Sequence, residues 1–511
     1  MLDITPLIRV AAARRRKELA SLDAAAAQER ELLTLVARAK ETRFGREHGF
    51  AAIRSVADFQ TRVPLRTYEA MWSDYWQAAF PDFSGVSWPS KSRYLALSSG
   101  TTSGRTKYVP VTREMNRSNA RAGFDLMAHH FGAKPRSRVF GGKSFMLGGS
   151  TVLTKEANGV YSGDLSGIAV KRMPLWARPY VFPKPERALM ANWQEKVELL
   201  ARTSLDENIH ALTGTPGWVL ILLDRVRTLR DARCEAGQPL YPKLELFVHG
   251  GVNFAPYRAR FLKLFEDVDV DMREVYPASE GFIASADKGY GEGLRLNLDH
   301  GLFFEFIPLE ELGSPNPRRH WIKTVEPGVN YALALSTCAG LFGYVLGDTV
   351  RFVETSPPRV LVTGRTSYML SAFGEHLLGE QIESAVSTAA ASIDADVTDY
   401  SVSAVFPDTA RTRCGHVYVV EFAGPEPEQQ RLARFADRLD ETLRQLSNDY
   451  DVYRGHDARI ALPSIRAVAP GTFAAWMKSR GKLGGQHKVP RIINDAELWK
   501  NLLAFVSANG A

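Results

Sequence analysis

Cysteine is scarce. Cys234, Cys338 and Cys414 are the only three in 511 residues. They are far apart and show no CxxC spacing, so neither a disulfide scaffold nor a cysteine zinc site is expected, and a reducing cytoplasm is the default compartment. Long apolar runs are missing too. The strongest, Trp218 to Leu223, falls well short of the about 18 residues that cross a bilayer. The first apolar stretch has no basic region before it, and Arg14 to Lys17 follow it, which is not the order of a secretory signal. No GxSxG segment occurs, so hydrolysis by a serine nucleophile is unsupported. Neither an internal repeat nor a low-complexity segment is present. Basic residues are dispersed rather than striped, which disfavours nucleic acid as a partner. The two adjacent histidines His129 and His130 fall on one expected helix, cannot both face one metal, and read as structural or surface residues.

What is present is an ordinary folded composition, with 45% hydrophobic and 24% charged residues. Sixty-four Lys and Arg against fifty-seven Asp and Glu leave a net +7, suited to anionic ligands such as phosphates or carboxylates. The length implies more than one module. Residues 22 to 40 carry Leu32, Leu33 and Val36 at helical spacing, and VPLRTYEAMWSDYW reads as a loop leading into an aromatic-rich helix. From Tyr94 the texture becomes strand, loop, strand: YLALSS, SGTTSGRTK, YVPVT. Between about 190 and 350, helical WQEKVELLARTSL alternates with LELFVHGG, VDMREVYPAS and NYALALSTCAG, the pattern of stacked α/β layers. After residue 365, EQIESAVSTAAASI and the run through Leu432, Phe435, Leu439, Leu443 and Leu446 are amphipathic helices, and SVSAVFP and HVYVVEFAG are short strands. The expected fold is α/β: a large multi-layer domain over 1–365 and a smaller α+β domain over 366–511.

Ser98 to Lys107, SSGTTSGRTK, puts six hydroxyls and two glycines into ten positions with a lysine at the end. Glycine permits close backbone approach, hydroxyls and amides donate to phosphate oxygens, and lysine adds charge. A flexible surface loop has the same composition. A Walker loop is excluded, because Arg105 and Thr106 stand where its Gly-Lys would follow Gly100.

The segment resembles the phosphate-binding loop of the adenylate-forming superfamily of acyl-CoA synthetases, adenylation domains and luciferases. Further blocks follow in the superfamily's order: VHGG at Val248 to Gly251, VYPASEG at Val275 to Gly281, YVLGDTVRF at Tyr344 to Phe352, the hinge-like GRTSYMLSAFGEHLLGEQIE from Gly364, and GGQHKVPR at Gly484 to Arg491. The flanking RFGREHGF, VPLRTYE, GTPGWVLILL, FGEH and QHKVPR are similar to the auxin-responsive-promoter (Gretchen Hagen) family of acyl acid amido synthetases.

That resemblance implies an ATP-dependent ligase that converts a carboxylic acid into an acyl-adenylate and pyrophosphate, then passes the acyl group to an amine such as an amino acid. Transfer to coenzyme A or a carrier-protein thiol is the alternative, and a nucleotide-binding regulator without turnover is the non-enzymatic one. ATP and Mg2+ are the implied cofactors. No membrane and no obligate protein partner are expected. The implied catalytic residues are Lys488, Glu280 and Thr101, with Glu280 also facing the metal. Ser98, Ser99, Gly100, Thr102, Gly250, Gly251, Tyr276, Ser279, Asp348 and Arg365 are implied for the nucleotide, Asp348 taking the ribose hydroxyls. Lys488 lies on the small domain, whose rotation about the hinge would withdraw it for the second step. Phe124, Phe145 and Trp218 are candidates for the acid pocket, against the commoner reading as core. His376 stands where plant members carry lysine, and Gly281-Phe282 where they have Cys-Tyr or similar; the first bears on phosphate contact, the second on the acid pocket.

Overall fold

The structure is a computed structural model and describes residues 2–99, 106–148, 153–175, 177–184, 190, 193–232, 238–252, 254–365, 369–370, 377–405, 415–447, 450–451, 454, 460–480 and 488–509. The chain divides into two compact units. The first holds residues up to 99, 106–346 and 350–361; the second holds 347–349 and the chain from 362 onward.

The first unit is built on a sheet of eleven strands. Its order runs Leu302–Pro308, Asn330–Thr337, Tyr344–Thr355, Pro358–Arg365, Leu294–Leu296, Gly281–Ser285, Asp271–Ala278, Leu246–Gly250, Ile209–Gly214, Lys143–Leu147 and Val181–Phe182. The half from Val181 to Asp271 is parallel. Its strands read as near-continuous apolar runs because both faces are covered. The helices Trp193–Ser204, Pro216–Ala232 and Ala255–Leu264 bury Leu200, Leu222, Leu223, Val226 and Phe261 with Phe247 of the sheet. On the antiparallel half, the helix Ala24–Ala39 packs Leu32, Leu35 and Val36 toward Phe303 and Phe304. Gln28 of that helix is fully buried: its amide donates to the carbonyls of Leu298 and Leu302, and its oxygen accepts from Phe304 N. Each polar atom it takes into the core is thereby satisfied.

A smaller sheet pairs Tyr94–Ser99 antiparallel with Thr106–Pro110 and parallel with Tyr161–Gly163. The amino-terminal helix Thr5–Ala20 is fastened by Arg15, whose guanidinium reaches Asp125 at 2.8 and 2.9 Å and Asp299 at 2.8 Å.

The second unit has its own core. The strands Val397–Val405 and Gly415–Phe422 pair antiparallel, and Ser464–Val468 adds in parallel. Helices Gly379–Ser392 and Gln429–Leu446 present Ile382, Ala385, Ala389 and Phe435, Leu439, Leu443 at turn-by-turn spacing to Tyr418 and Val420. A second cluster closes around Trp476, Val419 and Leu502 beneath the helices Thr472–Ser479 and Ala496–Asn509. No helix among the described residues is long and apolar enough to cross a membrane.

Candidate functional site

In the first unit the parallel strands Lys143–Leu147, Ile209–Gly214 and Leu246–Gly250 end at one edge, the first followed by Gly148 and the others closing on Gly214 and Gly250, the edge where open α/β sheets receive ligands. The Gly250–Gly251 turn is glycine for two separate reasons. A Cβ on Gly250 would collide with the Val275 carbonyl oxygen of the next strand, and Gly251 adopts φ +80°. One strand over, Tyr276 is buried in Asp271–Ala278, and Ser279-Glu280 form the tight turn into Gly281–Ser285.

Glu280 sits at that turn yet is only 5% exposed. Its Oε1 accepts a hydrogen bond of 3.1 Å from the hydroxyl of Tyr344, itself 1% exposed. Burial first, and then the Glu280 carboxylate, push the Tyr344 hydroxyl well above its ordinary titration range, so it stays a donor. Tyr68 lies in the same neighbourhood, pushed up to about 12 chiefly by burial. Its oxygen accepts from Tyr108 N at 2.7 Å, and the Lys107 ammonium lies 5.4 Å from its ring centre. Ser98 is half-buried and pairs with Lys107 across the hairpin. Ser99 continues that strand, opposite Thr106. Gly100, Thr101 and Thr102 lie outside the described residues, as does His376.

The pocket candidates separate. Phe145 is fully buried in the core under the parallel half of the first unit's sheet, with Leu222 and Phe247, edge-on to Phe182 at 4.7 Å, and Trp218 packs partly buried on the same cluster. Phe124 packs on a different cluster, along the helix Arg113–Ala133. His130 is fully buried and bonds Asp271 at 2.7 Å and Ser137 at 2.9 Å. Burial pushes its neighbour His129 down to about 4.

Asp125, Asp299 and His300 bring two carboxylates and an imidazole within 4.8 Å of one another. The Arg15 guanidinium already fills that cluster, 3.2 Å from the His300 ring nitrogen. Against burial, which acts the other way, His300 and Arg15 hold Asp125 at about 2. The arrangement is an ion cluster that fixes a helix.

In the second unit Asp348, Arg365 and Lys488 come together. Arg365 Nε lies 3.0 Å from Asp348 Oδ1, and the Thr363 hydroxyl donates to Thr349 at 2.9 Å beside them. Lys488 is exposed to solvent, yet the protein around it, then the Arg365 guanidinium and to a lesser degree that of Arg491, push its amine down to about 8, with Asp348 and Glu383 opposing. The cluster combines a carboxylate able to accept two hydroxyls, a guanidinium that orients it, and an ammonium. The motif blocks contain Tyr344, Glu383 and Arg491, but spacing gives them no role: their partners are distant in sequence and only folding brings them near.

The GH3 family N-terminal domain matches residues 13–270, the central domain 296–365 and the C-terminal domain 380–497. The chain is 28% identical over 202 residues to indole-3-acetic acid-amido synthetase GH3.3 of Arabidopsis thaliana, a match taking in 38% of this chain and 33% of that relative, so it spans about a third of that protein's length. It is 22% identical over 553 residues to the jasmonoyl–L-amino acid synthetase JAR4 of Nicotiana attenuata, covering 96% of this chain and 95% of that one. Among solved structures, the GH3.15 acyl acid amido synthetase superposes with a TM-score of 0.79 at 18% identity, over 96% of this chain and 94% of the other. At that identity the superposition speaks for the fold.

Proposed function

The chain belongs to the GH3 family, and from that premise we infer that it is an ATP-dependent acyl acid amido synthetase. A carboxylate oxygen attacks the α-phosphorus of ATP, the bond to the β-phosphate breaks, and pyrophosphate leaves. The amine of an amino acid then attacks the acyl carbonyl and AMP departs, giving an amide. A free carboxylate resists such attack because its charge repels nucleophiles and oxide is a poor leaving group. Adenylation removes the charge and installs a phosphate leaving group.

The observation that carries this reading is the match of all three family domains in order, together with the Asp348, Arg365 and Lys488 cluster on the blocks singled out for nucleotide chemistry. In this reading Asp348 accepts the ribose hydroxyls and Arg365 fixes its carboxylate. The Lys488 ammonium stands by the α-phosphate, where negative charge gathers in the transition state. Ser98 and the residues that follow it give hydrogen bonds to the phosphates, and the Gly250–Gly251 backbone and Tyr276 flank the adenine. Glu280 suits Mg2+, since a buried carboxylate is a hard oxygen donor. The ion would offset the charge of the phosphate oxygens.

The test is acid-dependent ATP/pyrophosphate exchange over a carboxylic-acid library, followed by mass measurement of the product with amino acids or coenzyme A. Amide confirms the reading and thioester replaces it with an acid-thiol ligase. ATP binding with no acid-dependent exchange removes both.

A further inference from the structure

Lys488 lies on a stretch, Lys488 to Pro490, that belongs to neither helix nor strand. A lysine stem with four rotatable bonds has little reason to favour one direction unless its backbone is held. The residues just beyond it are held firmly. Val402 N donates to the Arg491 carbonyl and Ile493 N donates to the Val402 carbonyl, each at 2.8 Å, so that Ile492 forms a parallel bridge to Val402 at the edge of the small sheet. The Ser401 hydroxyl donates to the Pro490 carbonyl at 2.8 Å.

Those bonds set the backbone, and one side-chain contact sets its orientation. Arg491 Nη1 lies 2.7 Å from Asp399 Oδ1, and the guanidinium rests over the Tyr400 ring at 4.4 Å. Tyr400 is 3% exposed and belongs to the second unit's core. The Asp399 side chain is a quarter exposed; the surrounding protein pushes it up to about 6, with the Arg491 charge and the Tyr400 backbone N–H opposing, and Glu421 and Glu383 adding smaller pushes. Arg491 lies three positions after Lys488, at most about 10 Å of chain, so the position of Arg491 bounds where the lysine amine can reach.

We propose that Asp399 and Arg491 are a positioning pair, fixing the segment that carries Lys488 so that its ammonium stays with Asp348 and Arg365 during adenylation. The pair acts through Lys488 and touches no reacting atom. It therefore serves the first half-reaction and leaves the amine transfer alone. The inference rests on the synthetase reading above.

The experiment compares Asp399→Asn and Arg491→Met with the wild type in the full-length enzyme. Acid-dependent ATP/pyrophosphate exchange reads the first half, and amide formation from supplied acyl-adenylate reads the second. A positioning role predicts that exchange kcat falls about tenfold or more while transfer stays within about twofold. A merely structural pair would depress both halves alike, and that outcome, or exchange within about twofold of wild type, overturns the proposal. If both variants fail to fold, Arg491→Lys keeps a charge that can still reach Asp399 but loses the planar group over the Tyr400 ring; exchange falling while transfer stays within about twofold supports the proposal, and equal falls in both halves overturn it. A wild type without acid-dependent exchange would instead refute the synthetase reading.

Discussion

Lys488 makes the sharpest residue-scale prediction. Its amine is depressed to about 8 from an ordinary 10.5, by surrounding protein first and the Arg365 charge next. A base whose folded value is lowered loses its proton early as pH rises. If the ammonium is what adenylation uses, kcat/KM for pyrophosphate exchange should fall as pH climbs through about 8, because kcat/KM reports the free enzyme. Arg365→Met removes the stronger of the two repelling charges, Arg491 being the other, and should carry the falling limb to higher pH. A limb unmoved by that change would take Arg365 out of the lysine's electrostatics. Lys488→Ala should cost roughly 100-fold or more in exchange kcat, the scale of losing one charge-stabilising group. Tyr344→Phe tests the other cluster. Deleting the hydroxyl leaves Glu280 short of a buried donor, which should cost about 1–3 kcal/mol in denaturant unfolding. If Glu280 holds the metal, the variant's Mg2+ affinity, measured by displacement of Mn2+ in the presence of ATP, should also change; an unaltered affinity would confine Tyr344 to a packing role.

At the scale of elements, the Gly250 turn couples local backbone to the neighbouring strand. Gly250→Ala drives a methyl into the Val275 carbonyl, and neither strand can yield without losing the ladder that pairs Gly250 with Val275. The expected cost is about 1–3 kcal/mol of stability, the range for overpacking, with a larger relative loss of ATP binding than of fold. Equilibrium unfolding beside nucleotide titration would separate the two. This strand was legible in the sequence: LELFVHGG is too short for a helix and ends in glycine, and it is observed as Leu246–Gly250. The helix Ala24–Ala39 was equally plain from Leu32, Leu33 and Val36. Local pattern could not show that Leu294–Leu296 inserts between Gly281–Ser285 and Pro358–Arg365, because strand order depends on packing between distant segments. The aromatic stretch after Tyr68 forms one α-turn and then a π-turn over Trp72–Trp76, a widening that side-chain periodicity does not signal. For the site the limit is the same. The glycines, Glu280, Asp348 and Lys488 stand in blocks that could be read one by one, whereas Tyr344 meets Glu280 across 64 positions and Arg491 meets Asp399 across two elements.

The molecule as a whole is two units with separate hydrophobic interiors, and its strands pass from one to the other. The strand Tyr344–Thr355 belongs mainly to the first unit, yet its residues 347–349, Asp348 among them, cluster with the second. The chemistry proposed for Asp348 therefore depends on a short excursion of backbone whose flanks are anchored elsewhere. Separate cores favour separate cooperative unfolding, and a shared strand limits that independence. Calorimetry with one core substitution in each unit measures the balance. Leu439 is fully buried in the second unit and Leu222 in the first; each leucine truncated to alanine should cost about 2–5 kcal/mol. If the cores melt independently, Leu439→Ala lowers one transition and leaves the other in place, and Leu222→Ala does the reverse. A single transition that both variants lower would mean that the shared strand makes the chain one cooperative body, and Asp348 would then be held by the stability of the whole rather than by the second unit alone.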